Sequence, residues 1–305
     1  MKKTLHKLAP WLSVILFGIA AVIIYYKLKQ YHFQDIIAEL KRMPALHVFG
    51  AIALTFLDYL LLTGYDTLAI FYIGRRLPYR KIAFASFVGY AFGHNATILG
   101  GSAARYRIYS GLGLSAGQVA RLILFCSVTF WLGFLTLGGF AFLLNPQAIE
   151  HGTSLPFKTT WPIGVIFLVL LGTYIAAIAL RKKPVTIRGK QLAIPSMRLS
   201  LCQVALASID WAVAGSVLYC LLANTIQMSY MEFLEIFLLA QFIGLVSTVP
   251  GGLGVFEGVM LLLFGEAAAA PSLISSLLIY RFIYYLLPLG LAAIMLGVKE
   301  FVSRK

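Results

Sequence analysis

Apolar stretches fall at about 9–26, 45–73, 82–99, 118–144, 161–180, 199–223, 231–249, 254–268 and 272–298. Most run to about 18 residues or more, enough for a helix to cross a hydrocarbon core of roughly 30 Å. In lipid, every backbone polar group must be satisfied within the segment, so each stretch is predicted to be a helix. The pattern reads as an all-α integral membrane protein, one polytopic domain over residues 1–305. Between the first two stretches, Phe33, Ile36, Ile37 and Leu40 follow the i, i+3, i+4, i+7 spacing. That predicts a short amphipathic helix on the membrane surface.

Two stretches are interrupted in the same way. One ends in NATILGG, Asn95 to Gly101; the other ends in STVPGG, Ser247 to Gly252, with the double glycines 151 positions apart. Glycine- or proline-interrupted segments at matching positions point to internal repeats around a central binding site. If each break is a re-entrant pair of half-helices, each half has three full crossings plus one re-entrant element, an odd number. The expectation is about six full transmembrane helices and two re-entrant elements, about eight hydrophobic helical elements in all, in inverted pseudo-repeats 1–150 and 151–305. Both termini are then cytoplasmic.

Charge supports that threading. The chain carries 25 Lys and Arg against 11 Asp and Glu, a net +14, with 60% hydrophobic and only 12% charged residues. Soluble domains are roughly a quarter charged, so little is left for an extramembrane module. The threading puts Lys2, Lys3, Lys7, Arg75, Arg76, Arg80, Lys81, Arg105, Arg107, Arg121, Arg181, Lys182, Lys183, Arg188, Lys190, Arg198, Lys299, Arg304 and Lys305 on one side. That satisfies the positive-inside rule, with 27–42 as its one misfit. Nucleic-acid binding, which needs a basic face on a soluble fold, is not expected. Cys126, Cys202 and Cys220 lie in apolar stretches without CxxC spacing and read as small buried hydrophobes. The start MKKTLHK resembles a signal peptide but lacks a small-x-small cleavage site, so a retained first helix is expected.

Charged groups within apolar stretches are costly and are candidates for function. At the first break, Asn95, Gly100, Gly101, Arg105 and Arg107 are the candidates. A helix beginning near Ser102 would point free N–H groups into the break, and two arginines would strengthen an anion site. Those arginines could equally snorkel to headgroups. At the second break the candidates are Gly251, Gly252 and Glu257, where Glu257 could also serve the helix dipole. Asp66 is preferred to Asp58 because it lies within two turns of the cytoplasmic end; its structural alternative is a pair with Arg75 or Arg76. Arg281 completes the substrate-binding set, with a bridge to Glu257 or Asp210 as its alternative, and Asp210 could be a hydrogen-bond acceptor between helices. His94 reads as a packing residue. No catalytic constellation, metal-ligand spacing or Walker motif is present, so no cofactor and no metal are expected.

GYAFGHNATILGGSAARYRIYSGLGLS, SIDWAVAGSVLYCLL, STVPGGLGVFEGV and LIYRFIYYLLP resemble the transmembrane-region family of lysylphosphatidylglycerol synthases, over nearly the whole chain. They are most similar to its short, stand-alone, YbhN-like bacterial members. The resemblance implies a multi-pass inner-membrane protein equivalent to the half of the synthases that flips aminoacylated phosphatidylglycerol, without the soluble domain that makes it. The function expected is translocation of a phospholipid or lipid-linked solute by alternating access, with no enzyme activity. Arg105 and Arg107 would hold a phosphate, while Asp66 and Glu257 would take an amine or balance charge. Expected partners are membrane lipids, anionic or aminoacylated phospholipid among them, with a homodimer left open. The alternatives are a lipid-modifying enzyme and a non-transporting subunit or accessory of one.

Overall fold

A computed structural model of the chain describes residues 41, 43–144, 159–180, 185–187, 190–192, 194–223, 226–247, 249–264 and 270–303. The expected helices at 9–26 and 33–40 lie outside these residues. The described helices are α1 (Ala45–Tyr72), α2 (Tyr79–Gly111), α3 (Ala116–Leu144), α4 (Trp161–Leu180), α5 (Met197–Leu222), α6 (Tyr230–Val246), α7 (Val255–Phe264), α8 (Ala270–Tyr280) and α9 (Leu287–Ser303). A single 3₁₀ turn, Pro250–Gly252, joins α6 to α7, and a π-helical turn, Arg281–Leu286, joins α8 to α9. Among the described residues, the strands are those of an antiparallel hairpin of β1 (Val185–Ile187) and β2 (Lys190–Leu192) in the basic loop after α4, which the apolar pattern does not contain.

The protein is an all-α integral membrane protein apart from that hairpin. Among the described residues, α1, α3, α4, α5 and the continuous Ser272–Lys299 stretch are long and apolar enough to span. α4 has a mean hydropathy of 2.6 over its most apolar window and buries only Gly164 and Phe167 among its side chains. Its remaining apolar surface faces outward, as a lipid-facing helix must. Where α4 does touch the bundle it uses glycine: a Cβ on Gly164 would stand 3.0 Å from the Gly139 carbonyl of α3. Small residues allow this approach, and dispersion contacts hold it.

Ser196 caps α5 through the Leu199 N–H, and Ser229 and Glu232 form a reciprocal capping box on α6. These side chains satisfy helix N–H groups that would otherwise be unpaired near the membrane. The helices α1 and α5 pack closely and run antiparallel. Gly50 meets the Cys220 thiol, while Gly64, further along α1, meets Leu206, further back along α5. Both helices contribute to two buried cores. One is built on α1, α2 and the start of α3 and closes on Leu289, Ala292 and Leu296 of α9; the other is built on α5, α6, α7 and α8.

α2 cannot be a straight rod. Thirty-three helical residues would extend about 50 Å, well beyond a bilayer core. A Cβ built on Gly101 would stand 2.8 Å from Gly93 Cα and 2.7 Å from the Gly89 carbonyl oxygen. Positions eight apart in a straight helix lie about 12 Å apart, so the chain must double back between them. Gly89 in turn faces Arg105, and both pairings are centred on position 97. The reversal therefore comes before the double glycine, and helical hydrogen bonding continues through 100–102. The expected helix start at Ser102, with N–H groups free for an anion, is not what the backbone forms. Gly100 and Gly101 are instead buried packing positions against the other arm.

The second interruption is a true break. Gly251, Gly252 and Gly254 have φ of 61°, 60° and 74°, a region that residues with a Cβ rarely enter. Gly252 then returns to within contact of Gly244, a Cβ on it lying 3.6 Å from Gly244 Cα. Gly93 with Gly101, and Gly244 with Gly252, are the same eight-residue pairing shifted by 151 positions.

Candidate functional site at the hairpin junction

The two hairpins meet at the π-helical turn. Tyr284 would accept a helical bond from position 288, but Pro288 has no N–H to give. The freed Tyr284 carbonyl accepts from the Tyr59 hydroxyl at 3.4 Å. The neighbouring Tyr285 carbonyl accepts from Asn95 Nδ2 at 3.1 Å, and Asn95 also reaches Ala91 O in its own arm. His94 stacks on Tyr284, with ring centroids 5.8 Å apart and 14° between planes. The carbonyl that the proline releases thus receives α1, and the tip of the first hairpin is seated on the next carbonyl of the same π-helical turn. π-Helical insertions of this kind concentrate at functional sites.

Arg281, the first residue of the same turn, holds the second hairpin. Its Nε donates to Glu257 Oε1, its Nη1 to the Gly251 carbonyl at 2.6 Å and its Nη2 to the Gly252 carbonyl at 3.4 Å. The guanidinium lies 4.5 Å from the Tyr285 ring centroid, and the residue is 1% exposed. Glu257 Oε2 accepts from Gly254 N at 2.8 Å, so the helix-start role also holds. One arginine fork therefore matches a carboxylate and two carbonyls that glycine leaves open.

The first hairpin carries a second buried pair. Arg105 donates from Nε and Nη2 to Asp66 Oδ1 and Oδ2 at 3.3 and 3.1 Å. Tyr109 and Ser86 add donors to the same carboxylate at 2.8 and 3.1 Å. Arg105 also lies 4.0 Å over the Tyr90 ring. Asp66 therefore pairs with Arg105, and Arg75 turns to Gln118 at 3.3 Å. Arg107 is half-buried. Two positions apart on a helix do not share a face, so Arg105 and Arg107 do not form one fork.

Between these pairs sits a carboxyl pair that the sequence ranked low or left as packing. Asp58 Oδ2 accepts from Tyr284 at 2.6 Å and Asp210 Oδ2 from Tyr65 at 2.7 Å. The interhelical acceptor role expected of Asp210 is observed. Asp58, Tyr59, Tyr65, Tyr90 and Tyr284 were missed as members of the junction. The only signal for them was the density of tyrosines around intramembrane acids. No group of His, Cys, Asp and Glu among the described residues is arranged to hold a metal.

Several of the described basic residues collect at one end of the bundle, Arg75 beside Gln118, Lys299 4.4 Å over Phe84, and Arg198 at the start of α5 near the end of α1, while Lys41, ahead of α1, lies at the other. Glu232 and Glu235 lie at the opposite end, where Glu235 accepts from Thr160.

Known sequences give this arrangement its context. Residues 11–292 match the family described as "Lysylphosphatidylglycerol synthase TM region". The chain is 38% identical to the uncharacterized protein slr0712 of Synechocystis over 304 residues, covering 99% of this chain and 94% of that one. It is 31% identical to the inner membrane protein YbhN of Escherichia coli over 302 residues, 98% and 93% of the two chains. It is 39% identical to the phosphatidylglycerol lysyltransferase of Staphylococcus aureus over 89 residues, 28% of this chain and 11% of that enzyme.

Proposed function

We propose, from the premise that the chain belongs to the lysylphosphatidylglycerol synthase TM-region family, that it moves a phospholipid or lipid-linked solute across the bacterial inner membrane by alternating access. The name of the Escherichia coli relative supports the inner membrane, and the partial match to a lysyltransferase supports a phospholipid cargo. The observation that carries the reading is the pair of buried arginine–carboxylate contacts, one on each hairpin, on either side of a π-helical turn. Intramembrane charges in broken-helix folds mark substrate paths.

The proposed chemistry is exchange of ionic partners. Opening a buried pair strands two charges, which costs about 3–5 kcal/mol when only one is matched. A headgroup that carries both signs removes that cost. Its phosphate replaces Asp66 on Arg105, and its ammonium replaces Arg105 on Asp66. Glu257 and Arg281 offer the same exchange at the other hairpin. The basic end faces the cytoplasm under the positive-inside rule. The first hairpin then enters from that side and the second from the other, so a rocking motion of two inverted halves exposes the junction alternately. No step requires covalent chemistry, and the chain is read as a transporter and not an enzyme.

The test is reconstitution in vesicles of phosphatidylglycerol and phosphatidylethanolamine doped with lysyl-phosphatidylglycerol, reading leaflet exposure of each headgroup. Movement above protein-free vesicles is expected, lost in Arg105→Ala and Glu257→Ala. Equal rates with and without protein would remove the reading. A non-transporting subunit is favoured by one observation: each nitrogen of Arg281 already bonds its own chain. That reading predicts full in vivo function with Arg105→Ala and co-purification of a fixed partner.

A further inference from the structure

The Asp58–Asp210 pair has no part in the exchange just described, and its bonding is incomplete. The two carboxyl groups meet within hydrogen-bond range across the α1–α5 contact. Each has one oxygen supplied by a tyrosine, and each leaves its Oδ1 buried with no donor. Asp58 is 0% exposed and Asp210 5%. Among the described residues no cation is hydrogen-bonded to either, in contrast to Asp66 and Glu257. The groups facing them are phenols, which are weak acids, and one imidazole, a weak base that reaches the pair only through the Tyr59 and Tyr284 rings. Tyr59 and Tyr65 come from α1, Tyr90 and His94 from α2, Tyr280 from α8, and Tyr284 and Tyr285 from the π-helical turn. The Tyr280 hydroxyl, within electrostatic reach of Asp58, is also buried without a partner.

Two ionised carboxylates cannot share a dry site without a cation. One proton shared by the pair turns one acid into a donor and the other into its acceptor, so that two bare carboxylates no longer face a site without a cation. The titration then belongs to the pair and not to either residue. The pair also sits on the helices that pack antiparallel at the centre of the fold and match under the 151-residue shift. If the halves rock, these are the carboxyl groups that separate. Closed, the pair needs a proton; parted and wetted, each acid can ionise alone.

We infer that Asp58 and Asp210 bind one proton between them and exchange it once per cycle, coupling movement of the cargo to the transmembrane proton gradient. The inference rests on the transport reading above. The proton enters from one compartment, is held between the two carboxyl groups in the closed state, and leaves to the other compartment when the halves part. Tyr65 and Tyr284 keep the outer oxygens in place.

Two measurements on the full chain test it. Infrared difference spectra of the chain in nanodiscs, taken across a pH titration, should contain the carbonyl stretch of a buried protonated acid. Asp58→Asn and Asp210→Asn should each remove it; a band unchanged in both, or absent from the wild-type chain, overturns the inference without relying on any transport assay. In the vesicles above, an imposed gradient should drive one-way accumulation of cargo lipid, by about tenfold per pH unit if one proton moves per cycle. Both variants should retain gradient-independent exchange. Movement that ignores the gradient overturns the coupling while leaving the flippase reading intact. No movement by the wild-type chain under any gradient overturns both.

Discussion

At the scale of single residues, the junction is held by arginines that bond carboxylates of their own chain. Arg105 gives two bonds to Asp66, which takes two more from Tyr109 and Ser86. Removing one charge strands the other, so Asp66→Asn and Arg105→Gln should each destabilise the chain by about 3–5 kcal/mol. The double variant should recover part of that loss, because nothing ionic then remains buried without a partner. Thermal unfolding in detergent, read as a double-mutant cycle, checks this; losses that simply add would mean the two residues do not act as a pair. The candidates themselves were legible, since an acid or arginine in an apolar run stands out in any sequence. Their partners were less so. The Arg281 bridge to Glu257 was among the expected alternatives, whereas Asp66 was matched to arginines a few positions on and found its partner 39 residues away. Asp58 ranked below Asp66 on its distance from the cytoplasmic end, and nothing in the sequence pointed to its donor, Tyr284, 226 positions away and uncharged.

At the scale of elements, apolar runs located most described helices to within a few residues, but α2 extends twelve residues past the expected end at 99, and the paths were not foreseen. The second break announced itself as Pro-Gly-Gly. The first did not, because its reversal lies ahead of the double glycine and keeps helical hydrogen bonding throughout. The least legible element was the π-helical turn. Pro288 stood in plain view within a long apolar run, yet only the fold shows that its missing N–H frees a carbonyl for the Tyr59 hydroxyl. This gives a sharp expectation for Pro288→Ala. An N–H at 288 would compete with the Tyr59 hydroxyl for the Tyr284 carbonyl, favouring regular α-helix over the π-helical turn that offers the Tyr285 carbonyl to Asn95 of the first hairpin. Removing an interior helix proline is worth up to about 3 kcal/mol where the backbone can relax. The variant should therefore unfold at higher temperature while moving lipid more slowly than the wild-type chain. Faster or unchanged movement in a stabilised variant would show that the turn is only a packing accommodation.

At the scale of the whole molecule, three features support the proposed inverted arrangement. Helices α1 and α5 match under a shift of 151 positions and pack antiparallel, as equivalent helices of an inverted repeat must. The glycine pairs of the two hairpins match under the same shift. Several of the described basic side chains gather at one end, and Glu232 and Glu235 lie at the other. A repeat of the same orientation would make α1 and α5 parallel and bring both hairpins in from one side. The two arrangements differ in where two exposed loops lie. Arg76, between α1 and α2, and Gln227, before α6, should face opposite compartments if the repeat is inverted. In a chain with Cys126, Cys202 and Cys220 replaced by serine or alanine, Gln227→Cys should react with a membrane-impermeant maleimide in spheroplasts. Arg76→Cys should react only after the inner membrane is opened. Labelling of both from the same side would rule out the inversion. It would also leave the antiparallel contact that brings Asp58 to Asp210 without a symmetry to explain it, and alternating access around the junction would lose its mechanical basis.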